Sequence, residues 1–117
     1  MGDSITLSYV DGIDLGWPRR VCRGITKNGL GVAVYNVEIN GGLSVDIEAG
    51  WYNEMMVFNR GSAGLFVFAF GFNDAAHKSS DNPQVELEYS VKTVRKIMFR
   101  AQAISKVFLG QHHWIRQ

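Results

Sequence analysis

Two kinds of hydrophobic pattern alternate along the chain. Residues 31–39 are rich in β-branched and aromatic side chains and bounded by turn residues, which predicts a strand ending near Asn36 to Ile39. Residues 64–71 are almost continuously apolar, which predicts a central parallel strand covered on both faces. Along this run and one residue past it Phe66, Phe68, Phe70 and Phe72 alternate, a packing pattern before it is a pocket. Residues 106–110 form a shorter apolar run that fits a strand or a helix tail, and the closing glycine favours the strand.

Between these runs the period changes. Leu87, Val91, Val94, Met98 and Ala101 recur at steps of four, three, four and three, one stripe of an amphipathic helix. Asn82-Pro83 marks its start, and Lys and Arg fill its later turns, where the helix dipole favours cations. Residues 17–25 predict a weaker helix with Pro18 in the first turn. Residues 44–59 predict a third, with Ser44 as its N-cap. Helices alternating with strands predict an α/β fold with a parallel sheet, whose functional loops sit at the carboxyl ends of the strands.

Composition narrows the picture. With 117 residues the chain makes one domain over residues 1–117, and 46 % hydrophobic with 20 % charged residues is globular usage. A net charge of +1 gives no electrostatic case for nucleic acid or an anionic membrane as the main partner. Cys22 is the lone cysteine, which excludes an intrachain disulfide and a Cys-only zinc site. No apolar run approaches a bilayer span, and the first twenty residues lack a signal-peptide pattern, so the expected compartment is reducing and cytoplasmic.

Three short segments fall where the functional loops belong. Gly2-Asp3-Ser4-Ile5-Thr6 opens the chain, residues 36–44 follow the first predicted strand, and Gly71-Phe72-Asn73-Asp74 follows the second. Each alone is ordinary turn chemistry. Together, and in this order, they resemble the SGNH, or GDSL, hydrolases. The first segment is similar to the block that carries that family's nucleophilic serine. The stretch around Asn40-Gly41 is similar to its second block, with Gly41 on the glycine, and residues 71–74 are similar to its third, Gly-x-Asn-Asp. Trp17-Pro18 matches the usual start of the first helix. The likeness covers about residues 2–110.

The resemblance implies a serine esterase, lipase or acylhydrolase acting on a small-molecule ester or acyl substrate, with no cofactor and no metal. Ser4 would attack the carbonyl. The backbone N–H groups of Ser4 and Gly41 and the Asn73 side-chain amide would hold the oxyanion. Asp3 and Asp74 read as acceptors that organise their loops rather than as catalytic acids. The implied fold is a three-layer α/β/α, flavodoxin-like parallel sheet.

Two parts of the family pattern are missing. No Asp-x-x-His, the motif that supplies the base and its orienting partner, stands near the C-terminus, where the family carries it; the one such spacing, Asp74-Ala75-Ala76-His77, runs on from the third block, and the histidines are His77, His112 and His113. A dyad of Ser4 with His77 or His113 is a minor alternative. Members also carry an apolar strand before Gly-Asp-Ser, where here only Met1 stands. In a 2-1-3-4-5 strand order that strand is central, so the expected sheet is incomplete. The strands at 31–39 and 64–71 would then pair directly, or a neighbouring chain would donate a strand in a homo-oligomer or strand-swapped dimer. Ile5, Leu7 and Tyr9 offer a makeshift strand that would draw Ser4 from its loop. The tail at 110–117 departs from the family too, as a shortened or frame-shifted reading of a longer gene would. The expectation is a weak or inactive hydrolase. The alternatives are a non-catalytic α/β module that keeps the ligand pocket, or a flavodoxin-like domain of other ancestry.

Overall fold

A computed structural model describes residues 1–3, 16–59, 64–77 and 81–110. In chain order the described elements are α1 (Gly16–Lys27), α2 (Ser44–Phe58), β1 (Leu65–Ala69), α3 (Phe72–Ala75), α4 (Leu87–Gln102) and β2 (Lys106–Gly110). β1 and β2 pair in parallel, with Leu65 opposite Lys106 and Ala69 opposite Gly110. The chain is therefore mixed α/β with a small parallel sheet, and the run at 106–110 resolves as a strand.

The sheet continues beyond β1 through residues 1–3. The Ala69 N–H donates to the Met1 carbonyl at 2.9 Å, and the Asp3 N–H donates to Ala69 at 3.2 Å. On the other side, the Gly2 N–H donates to Val37 and the Ile39 N–H to Gly2, both at 3.0 Å. Gly2 thus makes parallel bridges to both Glu38 and Ala69. The lateral order is 37–39, 1–3, β1, β2. Residues 37–39 and β1 do not pair directly; residues 1–3 stand between them.

The strand predicted over 31–39 is corrected by this geometry. Its one bridge is at Glu38, and residues 31–36 are exposed coil. β-propensity is satisfied only where a neighbouring strand offers backbone groups, and residues 1–3 offer them only to Val37 and Ile39.

One face of the sheet carries the core. Phe66, Phe68 and Phe70 alternate onto it and pack with Met1, with Ile47 and Trp51 of α2, and with Ile97 and Ala101 of α4. The Trp51 and Phe68 rings meet edge to face, centroids 5.6 Å apart. The expected cover on both faces of β1 is not met along its whole length: Ala69 is buried, but Leu65 is 59 % exposed. Glu48 of α2 pairs with Lys96 of α4 at 2.7 Å, and the Arg100 guanidinium lies 5.6 Å from the Trp51 ring centre, which ties the two helices at the surface.

Helix ends and faces also depart from expectation. α2 begins after Leu43, so Ser44 is its first helical residue and not its cap. Two carboxylates serve the end instead, Asp46 accepting from the Leu43 N–H at 2.9 Å and Asp74 from the Ser44 N–H at 2.7 Å. α4 starts after Glu86, four residues beyond Asn82-Pro83. Its buried face is Thr93, Ile97 and Ala101, flanked by Val94 and Met98, whereas Leu87 and Val91 are exposed. α1 forms as predicted with Pro18 in its first turn, but Gly16 is its one buried residue.

Candidate active site

Two described loops, after residues 37–39 and after β1, gather at the carboxyl ends of the parallel segments, and each is built by local chemistry. After residues 37–39 the chain turns back with the Gly42 N–H donating to the Ile39 carbonyl at 3.0 Å. Gly41 takes a φ of +67°, as the third position of a type II turn requires. Gly42 is buried against Ile39, whose Cβ would lie 2.8 Å from an added methyl group. After β1, Gly71 at φ +110° swings the chain into the single turn of α3, which presents Asn73 and Asp74. Between these two loops lies Asp3, the last described residue of its segment, fully buried.

Side chains lock the loops together. The Asn73 amide donates to the Gly42 carbonyl at 3.1 Å, which leaves its second N–H for another acceptor. Gln84 Nε2 donates to the Asn73 carbonyl at 2.8 Å, and the Val85 N–H to the Asp74 carbonyl at 3.1 Å. The Asp74 side chain is buried, with one oxygen on the Ser44 N–H and the other accepting from the Ser90 hydroxyl. Asp74 is thus an acceptor that joins α2, α3 and α4.

Of the three residues expected to carry the chemistry, Gly41 and Asn73 lie in loops that touch each other. The Gly41 N–H has no partner among the described residues. Ser4 lies outside the described residues, as do Ile5, Leu7, Tyr9, His112 and His113; the residue before Ser4, Asp3, is held by Ala69 at the end of β1. His77 is exposed, three residues beyond Asp74, and makes no bond to these loops. Sequence reasoning missed Ser90 and Gln84, and it took Ser44 for a cap rather than for the N–H that holds Asp74; all three position the loops. No spacing rule points to them, because their partners are 16, 11 and 30 residues away. Ser44 Oγ is buried with no hydrogen-bond partner among the described residues.

Two titrating groups sit beside these paired segments, the Met1 amine and the Glu38 carboxyl. The Met1 amino group donates to the Val67 carbonyl. Burial pushes its pKa down from 8.0 to about 6, against the raising effect of the Glu38 charge. Burial also raises the Glu38 carboxyl, opposed by the Asn36 hydrogen bond and by the Met1 and Arg19 charges. Among the described residues no group of three His, Cys, Asp or Glu side chains is placed to hold a metal ion.

Compared with known proteins, the chain is matched by no family model and by no curated protein. What its site can do rests on its own residues.

Proposed function

We propose that the chain is a serine ester hydrolase of the SGNH type, with Ser4 as nucleophile and with the N–H groups of Ser4 and Gly41 and the Asn73 amide as oxyanion donors. The observation that carries this reading is the hydrogen bond from Asn73 to the Gly42 carbonyl, which draws the loops after residues 37–39 and after β1 together beside residues 1–3. The lateral order 37–39, 1–3, β1, β2 supports it further, since it is the 2-1-3-4 part of a flavodoxin-like sheet. In the reaction Ser4 Oγ adds to the acyl carbonyl, and the hydroxyl proton passes to solvent water. The alcohol leaves to give an acyl-serine, which water then hydrolyses.

Turnover is slow in this reading. Loss of the histidine base in a serine protease costs about 10⁶ in rate, while the oxyanion donors retain part of the acceleration. The test is fluorophosphonate labelling together with p-nitrophenyl acetate hydrolysis by the full chain. Labelling at Ser4, absent in Ser4→Ala and slowed about 10²-fold in Asn73→Ala, is the expected result. Hydrolysis at an ordinary enzymatic rate that survives Ser4→Ala would overturn it. The exposed position of His77 favours a second reading, a non-catalytic α/β module, which predicts no labelling at all.

A further inference from the structure

The segment from residue 16 to residue 37 carries four of the 12 basic residues of the chain and none of the 11 acidic ones. In α1 the two residue classes separate cleanly. Trp17, Val21 and Ile25 stand at i, i+4 and i+8 and share one face. Arg19, Arg23 and Lys27 repeat the same spacing two residues on, which at 3.6 residues per turn places them on the opposite face, with Arg20 beside them. The apolar face does not enter the core: Trp17, Val21 and Ile25 are 37, 52 and 36 % exposed. In the segment that follows, Leu30 and Val32 are exposed as well, and the Cys22 thiol donates to the Val32 carbonyl at 3.3 Å.

From this arrangement we infer that α1 is a membrane-surface helix that seats its Trp17–Val21–Ile25 face in an anionic lipid bilayer, with Arg19, Arg23 and Lys27 toward the lipid headgroups. An apolar stripe with a purely cationic polar face is what the boundary between acyl chains and acidic headgroups accommodates. Twelve residues span about 18 Å, too short to cross the hydrocarbon core, so the helix lies on the surface. Among the described residues no helix is long and apolar enough to cross a membrane. The net charge of +1 conceals this, because the compensating acids lie elsewhere in the chain. The inference does not depend on the role of Ser4.

The test is flotation of the full chain with vesicles of phosphatidylcholine alone and of phosphatidylcholine with a minority of phosphatidylserine. Binding is expected to the acidic vesicles, to fall with added salt, and to be weak on the neutral ones. Arg19→Gln/Arg23→Gln is expected to weaken it about 25-fold, fivefold for each charge, and Val21→Ser/Ile25→Ser to remove it, both with unchanged far-ultraviolet circular dichroism. Equal binding to both vesicle types, or no binding by the unaltered chain, would overturn the inference. So would a concentration-dependent dimer without lipid binding that Val21→Ser/Ile25→Ser dissociates, which would assign the face to a second copy.

Discussion

The two carboxylate oxygens of Asp74 reach partners 30 residues upstream and 16 downstream, the Ser44 N–H at the start of α2 and the Ser90 hydroxyl in α4. Both bonds are internal, so removing the acceptor leaves a buried N–H that no solvent replaces. Asp74→Ala is expected to lower stability by about 3 kcal/mol, a fall in Tm of roughly 10–15 °C for a domain this size. Asp74→Asn keeps one carbonyl oxygen and a rotatable hydroxyl opposite it, and is expected to cost about 1 kcal/mol. Thermal unfolding followed by circular dichroism measures both, and equal losses would show that only volume matters there. The role of Asp74 as an organising acceptor was legible from its place in a Gly-x-Asn-Asp turn. Its partners were not, because hydrogen bonds across such separations have no period. The same holds for Asn73, whose amide was expected at the site but whose bond to Gly42 depends on two loops meeting.

At the scale of elements, α4 shows how a correct helix can be read with its face turned. The stripe through Leu87, Val91, Val94, Met98 and Ala101 is apolar, yet α2 and β2 contact the helix along Thr93, Ile97 and Ala101. Periodicity identifies a helix, while the buried side follows from where its neighbours lie, and a polar Thr93 can sit inside because its hydroxyl donates to the Tyr89 carbonyl. Ile97 is fully buried and Leu87 is 76 % exposed. Ile97→Ala is therefore expected to destabilise by about 3 kcal/mol, and Leu87→Ala to stay within about 0.5 kcal/mol. Urea denaturation distinguishes the two; comparable losses would restore the stripe as the packed face. In residues 31–36 strand chemistry exists without a strand, for want of backbone to pair with.

For the whole molecule, the alternation of helix and strand made the α/β class legible, but the place of residues 1–3 was not, since three residues display no period. Five backbone hydrogen bonds hold them between residues 37–39 and β1, and one of these uses the Met1 amino group. That group therefore couples the sheet to pH. Its pKa is about 6 in the fold against 8.0 for an exposed amine, because burial disfavours the cation. Between those values the unfolded chain binds the proton and the folded chain does not, so stability rises with pH from 6 to 8. Above this window neither state is charged and the penalty vanishes; below it both are charged and the penalty is complete, about 3 kcal/mol. Glu38 acts with the opposite sign in a more acidic window. Its raised carboxyl pKa means that the folded chain holds its proton longer, so its contribution is present at low pH and lost as pH climbs through the carboxylate range. Urea midpoints measured from pH 6 to pH 8 should increase for the chain with a free Met1 amine. Acetylating that amine removes the titrating group and leaves every histidine in place, so the difference between the two forms isolates it. A difference that stays constant across the window would show that the amine does not titrate with folding.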